Sequence, residues 1–223
     1  FLFAYPKRTN LKIYAAILSL MAILIAGVWQ FILKKNTKLF LVFIASAGLS
    51  LAIYLPINSL KNSVLVFQPF WFLETMMGLS DRFNWPKFFS AMTNYRSGND
   101  PIKYPVSYFV AFLVFWFGNM GTRAVKEILV ISWLRDIRKI KINEIFVTIV
   151  IVFGGIFPML FLQKGTPWNT IQFFYYSLFF SSILAGCAMG KLDTRKKTTI
   201  IYIIVVVALT IPGTIGTLKQ YLP

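Results

Sequence analysis

Residues 11–33 read LKIYAAILSLMAILIAGVWQFIL, with Lys12 as the one charge. A helix this apolar on every side has no wet face to turn to water, so it belongs inside a larger core or a membrane. A bilayer core of about 30 Å takes roughly 20 such residues. Five further stretches resemble it: Leu39–Ile57, Pro105–Gly121, Glu144–Leu162, Thr170–Gly190 and Thr198–Leu218. Strand-like alternation does not persist through any of them, which argues against a barrel. Helices also keep every backbone hydrogen bond internal, as hydrocarbon demands. Composition agrees: 57% of the 223 residues are hydrophobic and 13% charged, where a soluble domain carries about a quarter. The expected fold is an all-α integral membrane protein, about six transmembrane helices plus interfacial amphipathic helices, in one polytopic domain over 1–223.

Charge is lopsided, with 23 Lys and Arg against 7 Asp and Glu. In a membrane protein such an excess anchors loops to anionic lipid at about 1 kcal/mol per residue, so membrane lipid is the expected partner and nucleic acid is not. Lysine and arginine concentrate in three short loops: Lys34, Lys35 and Lys38; Arg123, Lys126, Arg135, Arg138, Lys139 and Lys141; and Lys191, Arg195, Lys196 and Lys197. The positive-inside rule places these loops inside and both ends of the chain outside. The segment 123–141 intersperses six basic residues with Val125, Ile128, Leu129, Trp133, Ile137 and Ile140. It reads as an amphipathic helix on the inner leaflet. Phe1 in place of Met, no signal-peptide layout and an abrupt Tyr-Leu-Pro end are expected of a portion of a longer polytopic chain. The chain has no histidine and a single cysteine, Cys187, so imidazole chemistry and an internal disulfide framework are excluded within it.

Two segments on the expected outer side carry chemistry. The first, 58–104, is too long and too apolar for a tether. Phe67, Phe70, Trp71, Phe72, Phe83, Trp85, Phe88 and Phe89 crowd it, and such rings favour the headgroup boundary. One or two short helices on the outer leaflet are expected, broken near 78–81 and again at 97–101. Three of the seven acids lie here, Glu74, Asp81 and Asp100. A carboxylate base for outer-face chemistry carried by this chain would be one of them, with Asp81 and Glu74 the candidates. Asp81 beside Arg82 stays ionised, although capping a helix from Arg82 to Phe89 is an equally ordinary role for it. Asp100 before Pro101 reads as a turn.

The second segment, 163–176, reads QKGTPWNTIQFFYY. Asn169 or Thr170 suits the N-cap of the helix that follows, and a helix N-terminus near Lys164 suits phosphate. Gln172, about one turn into an apolar span, requires a partner or a cavity. Trp168, Tyr175 and Tyr176 serve equally as an interfacial belt, with Lys164 snorkelling.

PMLFLQKGTPWNTIQFFYY at 158–176, FQPFWFLETMMGLSDRFNW at 67–85 and TIPGTIGTLKQYLP at 210–223 together resemble bacterial polytopic proteins of the GT-C glycosyltransferase superfamily, of the protein-mannosyltransferase kind. The resemblance covers most of the chain from about Phe67 onward. It implies a bacterial plasma-membrane, multi-pass enzyme that moves a sugar from a polyprenyl-phosphate carrier, a lipid-linked donor, to an acceptor on the outer face. The acidic base of such enzymes sits in a first outer loop upstream of this region and transfers to no residue here. By the same resemblance Lys164, Trp168, Asn169 and Gln172 line the donor or acceptor cavity; Arg82 joins them as a substrate-binding candidate. No cofactor is implied, and the outer carboxylates form no divalent-metal signature. The competing classes are a transporter or flippase and a non-catalytic scaffold subunit. Coupled transport is disfavoured because the expected spans hold no acid near mid-membrane and no basic residue away from their ends.

Overall fold

The computed structural model describes residues 13–57, 65–134, 140–164 and 166–221. Among the described residues nine α-helices run in chain order: α1 (Ile13–Lys34), α2 (Lys38–Ile57), α3 (Trp71–Gly78), α4 (Pro86–Ser97), α5 (Lys103–Met120), α6 (Glu127–Leu134), α7 (Ile142–Leu160), α8 (Ile171–Gly190) and α9 (Lys197–Tyr221). Two short strands, β1 (Leu65–Phe67) and β2 (Phe161–Gln163), pair antiparallel with Val66 opposite Leu162. Four helical stretches are long and apolar enough to cross a membrane: Tyr14–Lys34, Lys103–Trp133, Ile142–Leu160 and Pro167–Gly190. The apolar stretches of α2 and α9 are shorter, Lys38–Ile53 and Lys197–Gly213. Among the described residues the chain is thus mostly helical, with four helices suited by length and composition to cross a membrane.

The centre of the bundle is the α7–α8 pair, and small residues set its spacing. A β-carbon built on Gly154 would lie 2.7 Å from the Phe173 carbonyl oxygen of α8, and one on Gly155 would run into the Trp116 ring of the neighbouring α5. Ser177 Oγ donates to the Ile151 carbonyl at 2.7 Å across the same contact. On α1, the buried residues Tyr14, Leu18, Ala22 and Ala26 recur every four residues, so one face of that helix packs on α7 and α8. The helix α2 leans on α1 and exposes Leu41, Ile44, Leu49 and Ile53, an apolar surface suited to lipid.

The segment after α2 forms the two short helices expected, α3 and α4, with the breaks where Gly78 and Gly98 lie. Its rings correct the expectation of a leaflet-surface belt. Pairing of β1 with β2 draws the chain back over the end of the bundle, and Phe70 N–H donates to the Met159 carbonyl at 2.8 Å. Trp71, Phe72, Leu73, Met76 and Met77 are thereby buried against α5 and α8, while Phe67 and Trp85 stay exposed. Trp71 Nε1 donates to the Phe161 carbonyl at 3.0 Å, which satisfies the one polar atom of a buried indole. Residues 161–162, expected to finish a span, belong instead to β2.

The expected surface helix over 123–141 is also corrected. The chain breaks at Gly121, whose φ of 52° favours a residue without a side chain. It then winds as a 3₁₀ turn, Gly121–Lys126, before α6. Val125 and Leu129 pack on Ala185 and Ala188 of α8 rather than on lipid headgroups. Lys126 is 1% exposed; its ammonium lies 2.5 Å from a Glu127 carboxylate oxygen and 5.1 Å from the centre of the Trp116 ring. Residues 135–139, with Arg135, Arg138 and Lys139, lie outside the described residues, as do Lys7, Arg8 and Lys12 at the start and the stretch 58–64.

Candidate functional site

The two segments singled out in the sequence meet at one end of the bundle. The 3₁₀ turn Pro167–Thr170 sets Trp168 between α3 and α8. Its ring packs edge-on against Trp71 at 5.9 Å and Phe72 at 5.8 Å between centroids. The Arg82 guanidinium lies 5.0 Å from the centre of the Trp168 ring, a cation–π contact. Arg82 also pairs with Asp81 at 3.1 Å. Two of the expected substrate-binding residues, 86 positions apart in the chain, are thus in contact.

The other three are divided. Lys164 is exposed on the turn after β2, on the connector that carries Trp168. Asn169 turns inward to its own loop and donates from Nδ2 to Thr166 Oγ1 at 2.9 Å. Gln172 faces the opposite side of α8, in a cavity of about 550 Å³ between α1, α7 and α8. Ala15, Leu18, Val150, Phe179 and Phe180 give that cavity its apolar wall, with Ser19, Tyr175 and Tyr176 beside the amide. The cavity supplies the surroundings that an amide in an apolar span requires.

Of the carboxylates, Glu74 is the most constrained. One of its oxygens accepts from Arg96 Nη1 at 2.7 Å and from the Tyr108 hydroxyl. These bonds tie α3 to α4 and α5. The hydrogen bonds to Glu74 and then to Tyr108 hold the Arg96 guanidinium above its usual pKa. Glu74 is built as a clamp between these helices. Asp81 caps no helix, in correction of that expectation. The helix α4 begins at Pro86, and Trp85 precedes it; proline at the first helical position replaces the side-chain cap. Thr170 stands at the N-cap of α8 as expected, without a side-chain capping bond: its hydroxyl donates back to the Pro167 carbonyl at 2.8 Å, because the 3₁₀ turn leads continuously into the helix. Sequence reasoning missed Arg96, Tyr108 and Tyr14, the last donating to Gln163 of β2. A tyrosine one turn into a span beside an acidic neighbouring segment was the available signal, but nothing local says which acid it meets.

Asp100 forms the turn expected of it. Its Oδ1 accepts from the backbone of Lys103 at 2.8 Å and of Ile102 at 3.1 Å, and these bonds hold the carboxyl below its ordinary value of 3.8. A lowered folded-state pKa means stabilisation that is present above the unfolded value and lost as pH falls through the folded one. A carboxyl titration of Asp100 followed by NMR is expected to show a midpoint below 3.8, with the Ile102 and Lys103 amide shifts moving together with it. A midpoint at or above that value would remove the turn as the cause.

Among the described residues no group of three or more His, Cys, Asp or Glu could hold a metal ion. Compared with protein families, curated proteins and solved structures, the chain matches none.

Proposed function

We propose that the chain is part of a bacterial plasma-membrane glycosyltransferase built on the GT-C plan, moving a sugar from a polyprenyl-phosphate carrier to an acceptor on the outer face. In this reading α2 and α9 are further crossings, which makes six, and the end bearing α3, α4 and the β1–β2 pair faces outward. The supporting observation is the contact between Arg82 and Trp168, with Lys164 exposed on the same connector. An indole with a guanidinium at its ring and a lysine exposed on the same connector suits a sugar and the phosphate attached to it.

In such a transfer the bond between the anomeric carbon and the phosphate oxygen breaks and the lipid phosphate leaves as an anion. Cations placed at that oxygen stabilise the charge as it develops. A carboxylate takes the proton from the acceptor hydroxyl as its oxygen bonds to the anomeric carbon. Glu74 and Asp81, both already paired with arginine, suit electrostatic support better than proton transfer. The base is then assigned to the upstream loop that the resemblance implies. The cavity beside Gln172 is apolar with one amide at its wall, a shape for the hydrocarbon part of a lipid-linked donor.

The test is sugar transfer from a polyprenyl-phosphate donor by the full-length protein in membranes. Lys164→Ala and Gln172→Ala are each expected to lower the rate about tenfold, as loss of one charge-assisted or buried hydrogen bond would, while helical content and thermal unfolding stay unchanged. Unchanged rates in both variants would remove these residues from the site, and no transfer by the parent protein would leave a transporter or scaffold as the better reading.

A further inference from the structure

Arg123 lies far from the end that carries the proposed donor site, and its surroundings are unlike those of the other cations. Its Nε donates to Ser182 Oγ at 2.7 Å. Ser182 lies about eight residues before Gly190, the last residue of α8, roughly 12 Å along the axis at 1.5 Å per residue. The guanidinium therefore lies well inside the length of an apolar helix that is a membrane-span candidate. The sequence reading put Arg123 at the bilayer surface. The break at Gly121 and the tight 3₁₀ turn instead hold it against the middle of α8. A cation at such a depth is costly unless it is paired. Lys126 in the same turn has Glu127, but among the described residues no carboxylate lies within ion-pair distance of Arg123.

Beside it is a cavity of about 980 Å³, between the end of α5, α8 and α9. Asn119, Thr122, Arg123 and Ser182 give the lining its polar groups on the α5–α8 side, and α9 contributes Val206 and Leu209 with Thr210. At Gly121 and Gly186 a built β-carbon would meet nothing within 4 Å, so the absent side chains leave room rather than permit close packing. Ser182 occupies the Nε of the arginine, which leaves the two terminal nitrogens and their forked donors for a planar or tetrahedral anion. The cavity is thus amphiphilic: a guanidinium fork at one wall, hydrocarbon at the other, sized for a headgroup with the start of its chains.

We propose that this cavity binds an anionic phospholipid, its phosphate paired with Arg123 and its acyl chains against α9. A phosphodiester supplies the negative charge that no described residue does, and the acyl chains match the apolar wall. The proposal does not rest on the glycosyl-transfer reading, since it concerns another part of the bundle and another ligand.

The experiment uses the purified full chain in detergent with dioleoyl-phosphatidylglycerol, dioleoyl-phosphatidylcholine or inorganic phosphate. Retained lipid is counted by native mass spectrometry and thermal unfolding is followed in parallel. Phosphatidylglycerol is expected to be retained at least tenfold better than phosphatidylcholine and to raise the unfolding temperature. Arg123→Gln and the cavity-filling Gly186→Leu are each expected to abolish both effects, and Lys87→Gln, exposed on α4 at the opposite end, to leave them intact. Gly186→Leu keeps the arginine, so it tests the cavity even if Arg123→Gln folds poorly. Equal retention of the two lipids, equal retention by Gly186→Leu, or stabilisation by inorganic phosphate alone would overturn the assignment.

Discussion

Replacing Gly154 by leucine is expected to cost about 3 kcal/mol or more and to leave little folded protein, because overpacking of a close contact usually costs 1–3 kcal/mol even where side chains can yield. Here they cannot. The nearest atom to the added carbon is the Phe173 carbonyl oxygen, at 2.7 Å, with the Ser177 backbone nitrogen at 3.2 Å. Backbone of one helix would have to retreat from backbone of the other, and Ser177 would lose its bond to the Ile151 carbonyl. Thermal unfolding in detergent, read by circular dichroism, checks this. A leucine variant that melts with the parent would show that the α7–α8 spacing is not set here. Gly190→Leu is the control, since a β-carbon at Gly190 meets nothing within 4 Å.

The second large effect is expected at Trp168. Truncation of a packed aromatic to alanine costs about 3–5 kcal/mol, and the partial exposure of Trp168 places it at about 3 kcal/mol. The indole joins elements far apart in the chain: it touches Trp71 and Phe72 of α3 and receives the Arg82 guanidinium. Trp168→Ala is therefore expected to release α3 and to raise protease sensitivity between α3 and α4. Trp168→Phe is expected to keep most of the packing while weakening the cation–π contact, because the indole is the stronger partner. If both variants lose transfer activity but only alanine loses stability, the ring acts on substrate as well as on the fold. If phenylalanine retains full activity, the contact with Arg82 is architectural.

These expectations separate two kinds of information in the chain. The apolar runs announced their helices within a few residues at each end, since hydrocarbon leaves no alternative to internally bonded backbone. Gly78 and the Gly98–Pro101 turn were equally legible as breaks. The rings of 67–89 were visible as a cluster, but an aromatic suited to a headgroup boundary is equally suited to a buried core. The three-residue strand pairing that decides between them carries no sequence signal of its own. Likewise 123–126 looked like part of a surface helix. The positive φ at Gly121 and the alanines of α8 that receive Val125 and Leu129 are contacts across the chain.

The candidate site divides in the same way. Arg82, Trp168 and Gln172 stood out from sequence by residue type and position. Which of them meet was decided by the turn Pro167–Thr170, which sends Trp168 toward α3 and leaves Gln172 facing α1. The sequence by itself determined the helical, membrane-suited class and the places where the helices break. Each follows from local composition and backbone preference, which a single segment satisfies alone. Only the tertiary structure decided which rings became core, that Glu74 became a clamp between Arg96 and Tyr108, and that Arg123 came to lie beside a cavity. Those outcomes depend on pairs of side chains far apart in the chain, and a pair has no energy until both members are in place.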